Sequence, residues 1–278
     1  MNRVNFKTKP GDSMGDLYQN FQKFFELVAA DTAELLEHVY RIRYQVLCVE
    51  QRLPGFDPVL CPDQMERDGY DSHSSHILLR YRPSGEFIGT VRLILPDSSR
   101  PEKPLPVELY GQLDPALCDV KALPRQQTAE ISRFLVVSRF DRRKEDRRKQ
   151  TEGAERERRG EQREREQRGT QQDRRQDRRS SDRRSTLSIG LVLMAGVMRM
   201  SVKYDIRHWL SVADPALNKL MSFYGLNFNP IGPPVNYHGI RRPYYVKVED
   251  ALERMYNEHR DAWEVVTDCG EYNLAHTN

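Results

Sequence analysis

Residues 74–96 read SSHILLRYRPSGEFIGTVRLILP. Two apolar runs flank Pro83-Ser84-Gly85, the turn chemistry that joins antiparallel strands, so the stretch predicts a β-hairpin ending near Pro96. Upstream, Asp16–Ala29 places Leu17, Phe21, Phe24 and Val28 at helical spacing. Thr32–Glu50 repeats the pattern with Leu35, Leu36, Val39, Val46 and Leu47. Downstream, Leu105–Pro124 is proline-rich and weakly periodic, an irregular excursion with one helical turn, and a strand follows at Glu130–Val137. The C-terminal part predicts a helix at Thr186–Tyr204, a strand at His208–Val212 and a helix opened by Asp214 as N-cap with Pro215 in its first turn. Strands near Phe228 and at Tyr244–Val248 and a final helix at Glu249–His259 complete the series. This order predicts an α/β chain, one mixed sheet with helices on both faces.

The 278 residues are 38% hydrophobic, enough for a sizeable core, and they read as a single domain over 1–278 with one interruption. Residues 139–185 hold 19 Lys plus Arg against 12 Asp plus Glu, whereas the rest of the chain holds 25 against 29, so the basic balance belongs to that segment alone. Asp-Arg-Arg recurs from Asp141, Asp146, Asp173, Asp177 and Asp182, and Ala154 is the single apolar residue between Asp141 and Ser185. Such a stretch buries too little surface to offset its ordering entropy and is expected to be a disordered insertion. A solvated helix held by i,i+4 pairs is the alternative.

Cys48, Cys61, Cys118 and Cys269 form no C-x-x-C pair, and nothing at the N-terminus resembles a signal peptide, which leads us to expect the reducing cytoplasm. The apolar run from Leu187 to Met200 is shorter than the roughly 20 residues of a membrane span and contains Arg199, so it predicts a buried helix.

Arg43, Asp68, Asp71, Arg92 and Arg133 are opposite charges set in otherwise apolar elements. Charges are rarely buried unpaired, so these five are expected to form a network, either a substrate pocket or a lattice that pins the N-terminal region on the sheet. Strand alternation puts Glu130, Ser132 and Phe134 on one face and Ile131, Arg133 and Leu135 on the other. His73 and His76 lack partners at metal-ligand spacing, no metal is expected, and His76 reads as a strand-entry histidine with a satisfied hydrogen bond, a pocket residue being the alternative.

The order of elements is similar to the Gcn5-related N-acetyltransferase (GNAT) fold. Arg43 with Leu47, "ERDGYD" with Asp68 and Asp71, "GTVRLILP" with Arg92, and "EISRFLV" with Glu130 and Arg133 resemble, in that order, the acyl-homoserine-lactone (autoinducer) synthases. The resemblance extends to the long-chain N-acyl amino acid synthases and the acyltransferases of exosortase/PEP-CTERM sorting systems, and covers about Val39 to Tyr245 without the insertion. It implies acyl transfer from a thioester to an amine. Glu130 would be the general base, Tyr224 the acid that protonates the leaving thiolate, and Arg43, Asp68, Asp71, Arg92 and Arg133 the acceptor-binding set.

"RRSTLSIGLV" keeps only part of the Gly-rich turn with which coenzyme A users of this fold hold a pyrophosphate, Gly190 coming late. The donor this favours is an acyl carrier protein thioester, acyl-CoA being the alternative, with no bound cofactor and a small amine or amino acid as acceptor. The basic insertion would attract an acidic carrier protein; an inert loop is the competing reading, and its twelve acids argue against a nucleic acid or an anionic membrane. Leu47 and Leu53 stand where autoinducer synthases carry aromatic residues that help to bind S-adenosylmethionine, which sets the lactone synthase second. A non-catalytic binding module on a GNAT scaffold is the third reading.

Overall fold

The computed structural model describes residues 15–140 and 189–274. β2 (Ser74–Tyr81) and β3 (Glu86–Ile94) form the expected antiparallel hairpin, and Gly85 closes its turn at φ +72°, a left-handed conformation that a β-carbon disfavours. β1 (Phe25–Ala29) pairs with the outer edge of β2, and β4 (Thr128–Val136) pairs with β3, so the first four strands are an antiparallel run. β5 (His208–Ala213) lies parallel to β4. β8 (Ile240–Lys247) pairs antiparallel with β5 and also takes the two-residue strands β6 (Asn229–Pro230) and β7 (Val235–Asn236). The order β1-β2-β3-β4-β5-β8-β6 makes one mixed sheet.

Both faces are covered. α2 (Ala33–Tyr44), capped by the Thr32 hydroxyl, lies on the face that carries the cross-strand pair His76 and Arg92, with its Tyr40 ring edge-on to His76. α4 (Ile189–Lys203) lies on the other face, where Gly196 meets Ile77 so closely that a β-carbon would come within 2.9 Å. α4 is packed between the sheet and α7 (Arg260–Thr267), which is why its sequence is apolar all round. Its one arginine, Arg199, pairs with Asp268 at 2.7 Å. Among the described residues no helix is long and apolar enough to cross a membrane. A smaller apolar cluster of Ile94, Leu105, Val107, Val120, Leu210 and Ile231 forms where the excursion after β3, including α3 (Pro106–Tyr110), folds back over the sheet.

Three expectations change. The first helix, α1 (Asp16–Phe24), stops before Ala29, because the next five residues supply the partner that the β2 edge lacks and set Phe25 against Tyr81, centroids 5.8 Å apart. The helix over Thr32–Glu50 is α-helical only to Tyr44 and continues as a π-helical turn, Gln45–Glu50. The helix expected at Glu249–His259 is present as α6 (Val248–Glu258), but it is not the last, since α7 follows with its Trp263 wholly buried. The helix opened by Asp214 is present as α5 (Pro215–Ser222), with the Asp214 carboxylate accepting the Ala216 N–H. Beyond Phe140 the Arg-rich insertion foreseen over 139–185 lies outside the described residues; Arg139, its first residue, pairs with Glu86 at 2.7 Å.

Candidate active site

The buried stripe of α2 carries Val39, Ile42 and Arg43, so helical spacing aims one guanidinium at the sheet. Arg43 donates from Nη1 to Asp71 Oδ1 at 2.6 Å and from Nε to Glu66 Oε2 at 2.5 Å. Arg92 donates from Nη1 to Asp68 Oδ1 at 2.6 Å and Asp71 Oδ1 at 2.7 Å, and from Nε to Ser132 Oγ at 2.9 Å. Arg133 Nη2 reaches Glu66 Oε1 at 2.8 Å and Asp68 Oδ2 at 2.9 Å. Three guanidiniums thus meet three carboxylates. The "ERDGYD" turn is itself folded by these acids, since Asp71 Oδ2 accepts the Asp68 N–H and Asp68 Oδ1 accepts the Tyr70 N–H.

Burial alone would raise the carboxyl pKa values of this cluster, but the arginines outweigh it. Arg133 and Arg43 hold Glu66 below its ordinary value, Arg92 with Arg133 and Arg43 holds Asp68 far below, and Arg43 with Arg92 lowers Asp71. Burial would likewise lower Arg43, yet Glu66 and Asp71 raise it, so the cluster is ionised throughout the neutral range.

Strand alternation places Arg133 on the face opposite Glu130 and Ser132, and the structure corrects this. Thr90 pairs with Leu135 and Arg92 with Ser132, so two β4 residues, Arg133 and Phe134, oppose the single residue Val91. The extra residue is a β-bulge, and Arg133 takes it up at φ +47°. A left-handed non-glycine residue costs on the order of 1–3 kcal/mol. Here it turns the guanidinium onto Glu66 and Asp68, whose ion pairs offset the strain.

Glu130 lies on the face of Arg92 and Ser132, between Ile94 on β3 and Leu210 on β5, and is 3% exposed. Its Oε2 accepts the Val107 N–H at 2.7 Å from the first turn of α3. Burial pushes the carboxyl up to about 7, against the opposing pull of the Val107 N–H, Arg92 and Arg133. A carboxyl with that pKa can take and release a proton near neutral pH. Glu130 and Leu210 are also the last parallel pair between β4 and β5, so this carboxyl stands at the fork where the two strands part.

Asp68 and Arg133 form the reachable edge of the charged cluster, with side chains 26% and 14% exposed, whereas Arg43 is wholly buried. The Phe56 ring lies 5.1 Å from the Arg133 guanidinium and packs on His238. It also borders an open cleft of about 470 Å³ with Cys48, Arg52 and Pro58. Tyr237 stacks on Tyr110 nearby, centroids 4.6 Å apart.

The structure therefore brings Arg43, Asp68, Asp71, Arg92 and Arg133 together, with Glu130 on the same face. Tyr224 lies just after α5, buried in the main core that also holds Met221, Leu226 and Met255. Sequence reasoning missed Glu66 and Ser132. Glu66 heads the "ERDGYD" block, and three arginines facing two aspartates leave one carboxylate to be found. His76 departs from its expectation: it is buried, no described residue hydrogen-bonds its ring nitrogens, and it stands 3.7 Å from Asp71. Burial lowers it to about 4, so it is neutral. His73 is the satisfied histidine, between Leu95 O and the Lys103 ammonium. Among the described residues no group of three or more His, Cys, Asp or Glu side chains is arranged to hold a metal ion.

Residues 42–148 match the family model of the acetyltransferase (GNAT) domain. Among solved structures the chain is similar to the CoA-dependent acyl-homoserine lactone synthase BjaI solved with MTA, with a TM-score of 0.50 and 18% identity over 89% of each chain. It is also similar to TofI in a ternary complex with an inhibitor and MTA (TM-score 0.49, 17% identity, 83% of this chain and 96% of that one). FeeM, an N-acyl amino acid synthase from uncultured soil microbes, is similar at TM-score 0.44 and 11% identity, over 83% of this chain and 94% of that one. No curated protein sequence matches significantly. The fold is of the GNAT class: a mixed sheet with helices on both faces, carrying an acetyltransferase-type domain.

Proposed function

We propose that the protein is an acyltransferase that moves a fatty acyl chain from an acyl carrier protein thioester to the amine of an amino acid or similar small acceptor. The observation that carries this reading is Glu130, a buried carboxyl pushed up to about 7 at the fork between β4 and β5. An acceptor ammonium beside Glu130 gives it a proton. The freed amine attacks the thioester carbonyl carbon, a C–N bond forms and the carbonyl pair moves onto oxygen. Collapse breaks the C–S bond, and the thiolate leaves with a proton from Tyr224, the proposed donor, while the second proton that nitrogen sheds as the amide forms returns to the Tyr224 phenolate.

The arginine set acts in two tiers in this reading. Each guanidinium is already engaged with carboxylates, so the acceptor meets the cluster at its Asp68 and Arg133 edge, where the carboxylate attracts an ammonium. Arg43, Asp71 and Arg92 hold that edge from behind. A carrier protein donor rather than acyl-CoA, a cytoplasmic setting and an association with an exosortase/PEP-CTERM system are parts of the proposal that rest on the sequence alone.

A lactone synthase using S-adenosylmethionine is the second reading, since BjaI was also solved with that cosubstrate and isopentyl-CoA. Leu47, 3% exposed, and Leu53 occupy the positions of the expected aromatics and count against it. Mass spectrometry of lipid extracts from cells expressing the protein, beside a Glu130→Gln control, tests all readings. New N-acyl amino acids are expected; acyl lactones would support the second reading, and no new species a binding module.

Deleting 141–185 tests the donor. The melting temperature should hardly change, and the KM for acyl carrier protein should rise at unchanged kcat, an effect that shrinks with salt. An identical carrier KM at low salt would leave the insertion without a recruiting role.

A further inference from the structure

Tyr237 lies in the turn from β7 to β8, where its backbone N–H donates to Gly239 O at 2.9 Å. Its ring is stacked on Tyr110 with 12° between the planes. Tyr110 ends α3, the helix whose Val107 N–H holds Glu130, so one short helix positions both the carboxyl and this phenol. The neighbouring His238 locks the turn to the loop after α2 through Nδ1 and Pro54 O, 2.7 Å apart.

The phenol is half-buried and within electrostatic reach of Arg133, Glu130 and Asp68 together. Among the described residues none exchanges a hydrogen bond with its hydroxyl, so the O–H is open to an incoming group. Burial pushes it up to about 12, so at neutral pH it is a donor and not an anion. Of the other tyrosines around the smaller apolar cluster, Tyr70 lies under the Lys103 ammonium and against His73, Tyr110 is 47% exposed, and the Tyr245 hydroxyl is engaged with His208 Nδ1 at 2.9 Å. Tyr237 is the tyrosine whose ring is fixed on the Arg133 side of the base with its donor unused.

We propose that Tyr237 is a catalytic residue whose phenol O–H hydrogen-bonds the thioester carbonyl oxygen as that oxygen becomes an oxyanion. This rests on the acyl-transfer reading and adds the group that stabilises the developing charge. As the amine nitrogen bonds to carbon, the carbonyl π pair moves to oxygen and is met by the O–H, which keeps its proton. When the pair returns, the C–S bond breaks and the hydrogen bond relaxes, with no net proton transfer from Tyr237.

The test uses the full-length protein with palmitoyl acyl carrier protein and an equimolar mixture of the twenty amino acids, reading N-acyl products and released thiol. Tyr237→Phe keeps the stack and removes only the hydroxyl. It should lower kcat about 10²-fold, the usual loss for one oxyanion donor, with the donor KM within about twofold and an unchanged melting temperature. Tyr110→Phe should match wild type. An active wild type beside an equally active Tyr237→Phe overturns the inference alone, as does a loss confined to KM. A wild type that transfers no acyl group overturns the acyl-transfer reading, and this inference with it.

Discussion

Asp68 and Glu130 both reach the space over one face of the sheet, yet Asp68 is held far below the usual carboxylate range while Glu130 is pushed up to about 7. Burial acts on both in the same direction and is the largest influence on each. Partners make the difference. Asp68 takes Nη1 of Arg92 and Nη2 of Arg133 at under 3 Å, with Arg43 behind them. Glu130 takes one backbone N–H and feels Arg92 and Arg133 only as more distant charges. A carboxylate saturated with guanidiniums cannot accept a proton near neutral pH and serves as scaffold and rim. A carboxyl left with a single neutral donor in an apolar cluster exchanges its proton near neutral pH.

The largest test of this contrast is Glu130→Gln. It should keep the fold and lower acyl transfer about 10²–10⁴-fold, the usual range for a lost general base. Wild-type turnover in the folded variant would make Glu130 another structural acid.

Next comes Arg43→Ala, which strands Glu66 and Asp71 in the interior. Chemical denaturation should show a loss of about 3–5 kcal/mol, as when one partner of a buried ion pair is removed. A loss under 1 kcal/mol would mean that Arg43 is dispensable to the scaffold.

The two environments should also give stability slopes of opposite sign with pH. Glu130's folded value stands above its ordinary 4.5, so its contribution is full below about pH 4.5 and is lost as the pH rises through about 7. Glu66, Asp68 and Asp71 are lowered, so their contributions are present above their ordinary values and are lost as the pH falls through the folded ones. Glu130→Gln removes only the first limb. Relative to wild type it should gain about 2–3 kcal/mol between pH 5 and pH 8, while the wild-type acyl-transfer rate climbs through about pH 7. A difference between the two proteins that does not vary with pH would show that Glu130 is not raised.

The smallest effect is the coupling between Arg92→Ala and Asp71→Ala. Because the two side chains share an ion pair, their losses of activity should overlap by about 0.5–3 kcal/mol in a double-mutant cycle. Strict additivity would break the cluster into independent contacts.

The sequence by itself determined the hairpin, the apolar helix, the capped α5 and the five charges that had to find one another. Each follows from local chemistry: turn residues, periodicity, a cap, and the cost of burying a charge alone. Tertiary structure decided the rest. Phe25–Ala29 is a strand because β2 has an edge to fill, although its apolar spacing suits a helix equally well. Arg133 joins the cluster because one bulged, left-handed residue reverses the face on which β4 presents its side chains, and alternation can be read only along a regular strand. Glu66 and Ser132 join because a fold brings together residues far apart in sequence. The Glu130 carboxyl is raised for the same reason: its pKa is set by the apolar cluster under the excursion after β3, and no residue beside it in the chain encodes that burial.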